Sequence, residues 1–246
     1  MSKNYKISVI TVTKNSKKFL EENIQSLSNQ TYKNFEHIVI DGNSTDGTVA
    51  IIKKNSDKIS KWISETDKGL YFAMNKGIKL SSGDIIGILN SDDIYYPNAL
   101  KIVNKYFSSN DNLDFLFGTV EKYKLMHGFY PEKIKWTFGF YTTHSVGFFI
   151  KRSSQIKLGF YDTQYKYSAD YDLFYRMIVK EKMIGTSTEK NEVLGKFRQG
   201  GLSSRIKYLD FLIENNKIRI NNGQNILIVY LIFFLRLVRN FKNLFK

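Results

Sequence analysis

The sequence predicts an α/β fold, a mostly parallel sheet with helices on both faces, followed by a C-terminal helical extension. Three observations predict it. Short β-rich runs alternate with helical patterns through the first half, the order that builds a parallel, doubly wound sheet. Acidic and glycine-rich clusters fall just after these runs, at the carboxyl ends of strands where such sheets bind ligands. About the last fifth of the chain is both its most basic and its most apolar segment. With 246 residues, 42% hydrophobic and 15% aromatic, the chain has material for one large domain or two small ones and a packed core.

The elements follow in order. Lys6–Thr13 reads as a strand, with Ile7, Val9 and Thr11 on one face and Ile10 and Val12 on the other. Ser16 is placed to cap a helix that buries Phe19, Leu20, Ile24 and Leu27. Phe35–Ile40 is a second strand, and Asp46 a cap for a helix carrying Val49 and Ile52. Ile59–Ser64 is a third strand, Tyr71–Leu80 a helix, and Ile85–Leu89 a fourth, wholly apolar strand. Pro97 suits the first turn of a helix running through Phe107. Phe115–Tyr123 and Phe148–Lys151 read as strands and Tyr171–Lys180 as a helix, while Lys133–Tyr141 has no clear period. No repeat or low-complexity linker interrupts the chain. We expect one domain over residues 1–204 and an extension over 205–246.

Composition narrows the chemistry. Without cysteine there is no disulfide framework, thiolate metal site or Cys nucleophile. The N-terminus lacks the apolar core of a signal peptide, so the catalytic part is expected in the cytoplasm. The formal charge of +14 calls for an anionic partner. From Lys196 to Lys246 there are ten Lys and Arg against two acidic residues. The same segment holds the apolar run Ile226–Leu235, and basic plus apolar together favour a membrane surface over nucleic acid.

Three acidic clusters carry the candidate chemistry. Asp41-Gly-Asn-Ser-Thr-Asp-Gly-Thr48 follows the second strand; it is either a polar turn capped by Asp46 or an acid that meets a base or ribose. Leu89-Asn-Ser-Asp-Asp93 follows the fourth. Adjacent carboxylates repel, and a bound cation relieves that cost; oxygen-only ligands suit Mg²⁺ or Mn²⁺, though a solvated turn accounts for the residues equally well. Ser168-Ala-Asp-Tyr-Asp172 opens the last of the helices above, where Asp170 is a cap or a general base.

Their order carries more than each cluster alone. Ile7-Ser-Val-Ile-Thr-Val-Thr-Lys-Asn15, Asp41–Thr48, Asp67-Lys-Gly-Leu-Tyr71 with Met74-Asn-Lys-Gly77, and Ser82-Gly-Asp84 come first. Leu89–Asp93, Ala169-Asp-Tyr-Asp-Leu173 and Phe197-Arg-Gln-Gly-Gly-Leu-Ser203 complete the series. This series resembles the family 2 glycosyltransferases, with the GT-A nucleotide-sugar-binding fold, from about Lys6 to Ser203. The resemblance implies a donor pocket in which Thr11 lines the base site and Asp41 contacts the nucleobase. It places Asp67 and Lys76 near ribose and diphosphate, and Asp92 and Asp93 in the family's Asp-x-Asp element, with Asp93 as the direct metal ligand. Asp170 matches the catalytic base, and Ala169 stands where many members have Glu. It further implies an inverting transfer of one sugar from a nucleotide-sugar, with Mn²⁺ or Mg²⁺. UDP is the common nucleotide of the family; GDP and dTDP stay open. The implied acceptor is a glycan or a polyprenyl-diphosphate-linked intermediate of surface polysaccharide. No Gln-x-x-Arg-Trp element of the processive members follows Gln199.

A nucleic-acid-binding reading of the charge leaves the acidic clusters unexplained, because acidic strand ends repel phosphate unless a metal intervenes. A phospho-acceptor domain would place its acidic pair after the first strand, where this chain has Thr11–Lys14. His144 reads as either a site residue or a loop histidine, and His37 and His127 as structural. The run Ile226–Leu235 is half the length of about 20 residues needed to span a bilayer. A helix from Arg236 on would set Arg236, Arg239, Lys242 and Lys246 opposite Leu237, Val238, Phe241, Leu244 and Phe245. That pattern suits a helix lying on an anionic membrane at the inner face of the cell, or one packed back on protein.

Overall fold

The computed structural model describes residues 3–136, 140–201 and 206–241. Eight helices and eleven strands are assigned among them. Strands β1 (Ile7–Thr13), β2 (Phe35–Asp41), β3 (Lys61–Ser64) and β4 (Ile85–Ile88) pair in parallel in the order β4-β1-β2-β3. Their carboxyl ends therefore share one edge. Strand β9 (Phe148–Lys151) runs antiparallel between β4 and β6 (Phe115–Phe117), and β10 (Gly185–Ser187) pairs in parallel with β6 at the far side. A second sheet joins β5 (Ile94–Tyr95), β11 (Val193–Lys196), β7 (Thr119–Glu121) and β8 (Leu125–Met126).

Helices cover both faces because β1 and its neighbours are apolar on both, as buried parallel strands must be. On one side α1 (Leu20–Ser28), α2 (Thr48–Lys54) and α4 (Ala99–Ser109) pack on Ile7, Val9 and Val39. On the other α3 (Leu70–Leu80), α6 (Ala169–Tyr175) and α7 (Tyr208–Asn221) pack with Ile10, Val12, Ile38 and Ile40. Helix α3 comes so close to β1 that a Cβ on Gly77 would run into Ile10 Cγ2. A short helix α5 (Arg152–Leu158) follows β9, and α8 (Ile226–Arg239) ends the described fold.

Several local expectations change. The run Phe115–Tyr123 is two strands in two sheets, not one: the chain turns at Gly118, where Leu194 crosses so closely that no side chain fits. Ser16 does not cap α1 with its hydroxyl; its backbone carbonyl accepts from Phe19 and Leu20, and its hydroxyl accepts from Ser91 at 2.8 Å. Asp170 lies inside the first turn of α6 rather than at its cap, Ser168 being the flanking residue, and a single π-helical turn, Arg176–Lys180, continues that helix.

The C-terminal helices are tied to the body. Glu214 of α7 accepts from the backbone N–H groups of Lys166 and Tyr167 at 2.6 and 2.7 Å, and Asn222 donates to Asp172 at 2.8 Å. Arg219, fully buried, donates through Nε to the Tyr171 hydroxyl at 2.8 Å. Asn225 caps α8, accepting from Leu227 and Ile228. Val229 and Ile232 face inward, and Arg236, expected on an outward polar face, turns in and donates to the Trp136 carbonyl at 2.7 Å. The outward face is apolar instead: Leu227, Tyr230, Leu231, Phe234, Leu235, Val238 and Phe241 are each more than half exposed. Lys242, Leu244, Phe245 and Lys246 lie outside the described residues.

Candidate active site

The polar rim forms where β1–β4 end. After β1, Asn15 takes a left-handed backbone (φ 52°) that asparagine tolerates. This turns its N–H to the Ser44 hydroxyl at 2.8 Å and its side chain to the Thr45 N–H at 2.9 Å, lacing the β1 and β2 loops together. Asp46 adds a bond from the Lys17 N–H and caps the first residue of α2 through the Thr48 N–H, both at 3.0 Å.

Asp41, at the end of β2, is wholly buried. It accepts from the Ser44 N–H at 3.0 Å, the Ser44 hydroxyl and the Ser64 hydroxyl at 2.6 Å. Three donors hold its carboxylate in one orientation and offset the cost of burying it. Thr11, expected at the base site, does not reach a cleft. It is fully buried in mid-strand, its hydroxyl between His37 Nε2 at 3.0 Å and Asn23 Oδ1 at 3.3 Å. Two residues on, Thr13 ends the strand with a buried hydroxyl that has no partner. The sequence did not single out this unsatisfied group, which lies at the carboxyl end of β1.

Asp67 and Lys76 do come together. Lys76 Nζ lies 2.6 Å from Asp67 Oδ1 and also pairs with Glu65, while Asp67 Oδ2 is buried without a partner. Burial pulls the Lys76 ammonium down, but the bonds from Asp67 and Glu65 outweigh it and hold its pKa above the ordinary lysine value. Glu65 follows β3 directly, and its N–H donates to the Asp41 carbonyl at 3.0 Å. The second and third strand ends and the start of α3 thus form one polar wall.

The acidic pair lies beyond β4. Asn23 of α1 donates to the carbonyls of Asn90 and Asp93, both at 2.9 Å, and fixes the turn between them. Asp93 is buried; Oδ2 accepts from the Ser145 hydroxyl at 2.6 Å and Oδ1 from the Arg198 N–H at 2.8 Å. Asp92 is the outward member, with Gly201 so close that an added Cβ would sit 3.0 Å from its Oδ2. Burial, then the neighbouring Asp92 charge, push the Asp93 carboxyl up to about 7; burial also raises Asp92.

The residues present fit a divalent cation. The donors are oxygen only, each Asp93 oxygen keeps a lone pair free, and the buried Asn90 Oδ1 has no partner. Among the described residues no third carboxylate or imidazole joins them, so an ion held here would keep open positions for phosphate oxygens. The pair therefore differs from expectation in one respect: Asp93 is the anchored carboxylate and Asp92 the accessible one.

Asp170 stands on an aromatic floor. Tyr71 donates to Oδ1 at 3.2 Å and Tyr141 to Oδ2 at 3.4 Å. Tyr161 stacks on Tyr71 with ring centroids 5.6 Å apart, and its hydroxyl meets His144 Nε2 at 2.6 Å. His144 belongs to this floor rather than to an open loop. Burial lowers its pKa, with the Asp170 charge opposing. His37 and His127 are structural, bonded to Thr11 and Thr119. Ser145, Arg198, Tyr71 and Tyr141 carried no individual sequence signal, although Tyr71 and Arg198 lie within motif segments.

Seven parallel-dominated strands with acidic groups on one carboxyl edge define the GT-A fold, and solved structures share it. A Staphylococcus aureus TarS fragment in complex with UDP superposes with a TM-score of 0.71 at 18% identity, over 96% of this chain and 72% of that one. The mannosyltransferase PcManGT of Pyrobaculum calidifontis, in complex with GDP-Man and Mn²⁺, gives 0.67 at 16% identity, over 94% and 69%. The family model described as Glycosyl transferase family 2 matches residues 8–174. The chain belongs to that family. An uncharacterized glycosyltransferase of Methanocaldococcus jannaschii is 32% identical over 71% of this chain and 65% of its own length. The Escherichia coli UDP-Glc:alpha-D-GlcNAc-diphosphoundecaprenol beta-1,3-glucosyltransferase WfgD is 32% identical over 48% of this chain. The chain spans 47% of the length of WfgD.

Proposed function

We propose that the chain is an inverting, metal-assisted glycosyltransferase that moves one sugar from a nucleotide-sugar, a UDP-sugar by preference, to a hydroxyl of a lipid-linked glycan. The observation that carries this reading is the division of labour among the carboxylates. Asp92 and Asp93 sit together beyond β4, whereas Asp170 stands apart on α6, held by two tyrosine hydroxyls.

The donor nucleotide lies along the wall formed by Thr13, Asp41, Asp67 and Lys76. Asp41 is oriented toward the base by its three donors, and Lys76 offers the positive charge nearest the diphosphate. Asp92 and Asp93 hold Mn²⁺ or Mg²⁺. When bound, such an ion neutralises charge on the leaving diphosphate. Asp170 takes the proton of the acceptor hydroxyl as its oxygen attacks the anomeric carbon and the bond from that carbon to the diphosphate oxygen breaks. A single displacement needs one base and no carboxylate nucleophile, and it inverts the anomeric centre. The UDP bound by TarS, the Mn²⁺ bound by PcManGT and the diphosphoundecaprenol acceptor named for WfgD support the reading.

The outward apolar face of α8, within the extension over 205–246 that follows a catalytic unit over 1–204, supports attachment to the inner face of the cell membrane. Among the described residues no helix is long and apolar enough to cross a membrane. Residues 225–246 contain no Asp or Glu, and Arg239, Lys242 and Lys246 suit an anionic leaflet. Lying flat, this face would bring the site to an acceptor that cannot leave the bilayer.

The test is a screen of UDP-, GDP- and dTDP-sugars for acceptor-dependent nucleotide release, with and without Mn²⁺, and NMR of the product's anomeric proton. Release from no nucleotide-sugar, or retention of configuration, would refute the reading.

A further inference from the structure

We infer that Tyr71 and Tyr141 are positioning residues that clamp the two oxygens of Asp170, and that Tyr71 couples the donor wall to this carboxylate. The inference rests on the reading of Asp170 as the base. Tyr71 lies in the first turn of α3, seven residues after β3 ends at Ser64 and on the same helix as Lys76. Its ring is buried and stacked on Tyr161. Tyr141 comes from the aperiodic stretch before β9, and its ring packs edge-on to Phe174 of α6 with centroids 4.8 Å apart. Neither ring can turn without disturbing the core, so the two hydroxyls are fixed points.

Chemistry makes both hydroxyls donors. Burial, then the charge of Asp170, push each phenol well above the ordinary tyrosine value, so both keep their protons throughout the working range. A carboxylate gripped through both oxygens cannot rotate about its Cβ–Cγ bond, and a base must hold one lone pair on the incoming hydroxyl.

Tyr71 has a second acceptor, the Tyr167 carbonyl, at the same 3.2 Å as Asp170 Oδ1. Its one proton favours the charged carboxylate before reaction, since hydrogen bonds to ions are the stronger. Once Asp170 has taken the acceptor's proton, its pull weakens and the Tyr71 hydroxyl falls back on the Tyr167 carbonyl. Neither protonation state leaves the buried phenol unsatisfied. The Tyr71 arm of the clamp therefore releases as the proton arrives, while Tyr141 stays on Oδ2 and the Tyr171 N–H on Oδ1 at 2.9 Å.

The experiment compares Tyr71→Phe, Tyr141→Phe and the double variant with the full chain, measuring kcat, both KM values and melting temperature; Asp170→Asn is measured alongside. Phenylalanine keeps the packing, so melting temperature and donor KM should hold while kcat falls about tenfold for Tyr71→Phe, less for Tyr141→Phe, and more for both. A fall confined to kcat supports the clamp. If kcat holds within about twofold in both single variants while Asp170→Asn is inactive, the clamp is wrong and the base reading stands. A rise in donor KM that accounts for the whole loss would also overturn it, placing Tyr71 in donor binding instead. Near-normal turnover in Asp170→Asn would remove the base reading itself.

Discussion

The Arg198 N–H donates to Asp93 Oδ1 at 2.8 Å, joining the second residue beyond β11 to the turn beyond β4. With Ser145 on the other oxygen, three distant segments converge on one buried carboxylate. A carboxylate held by neutral donors while burial and Asp92 push against its charge gains from a dication.

Transfer should therefore stop in EDTA and return with Mn²⁺ or Mg²⁺. Asp92→Asn should weaken the metal requirement's midpoint, and Asp93→Ala should abolish turnover while the fold persists by circular dichroism. Full activity in chelator would exclude the metal role.

Asp170→Asn tests the base directly. The side chain is not a cap, so its loss should leave the melting temperature near that of the parent chain while turnover falls about 10²-fold or more. Nucleotide binding, measured by calorimetry with UDP, should be unchanged.

Stability should fall on the acid side, and adjacent residues of β2 explain why. His37 is buried and its pKa is lowered to about 3, so the unfolded chain takes up a proton from pH 6.5 downward that the folded chain refuses. Glu36 is also buried; burial alone would raise its carboxyl, but bonds from Ser8, Ser82 and Lys6 hold it at about 2. Its stabilising contribution is complete above pH 4.5 and is lost as pH falls toward 2. Each group costs up to about 1.4 kcal/mol per pH unit in its window. Urea titrations from pH 7 to 4 should show the slope, and His37→Gln should flatten most of it between 6.5 and 4.5.

Gly77→Ala should destabilise by about 1–3 kcal/mol, because the new methyl meets Ile10 Cγ2 across the α3–β1 contact. A chemical melt measures it; an unchanged midpoint would mean that α3 can shift away without cost.

Membrane attachment should depend on the outward face of α8. Leu231→Asp with Phe234→Asp puts charges where both side chains are more than half exposed, so folding should survive. Binding should not, since each buried apolar side chain is worth about 1.5–3 kcal/mol. Co-sedimentation with vesicles rich in anionic lipid should be lost for the variant, and for the parent it should weaken at high salt. A parent chain that stays in the supernatant would show that this face packs on protein.

The parallel strands β1–β4, the helices between them and the acidic groups at their ends were legible in the sequence, because periodicity and strand-end chemistry are local properties. The motif order sufficed to place the chain in its family. What the sequence could not show is which of several similar groups is free. Thr11 and Thr13 differ by two positions on one strand; only packing against His37 and Asn23 decides that the first is spent inside and the second is not. Asp92 and Asp93 are neighbours of the same type, and the donors that make one an anchor come from Ser145 and Arg198, 52 and 105 residues further on. Arg236 reads as a surface cation until the Trp136 carbonyl draws it in and leaves α8 apolar outside. Sequence patterns determine elements because each depends on neighbours along the chain; the state of an individual polar group depends on partners brought to it by folding, and only the tertiary structure decides those.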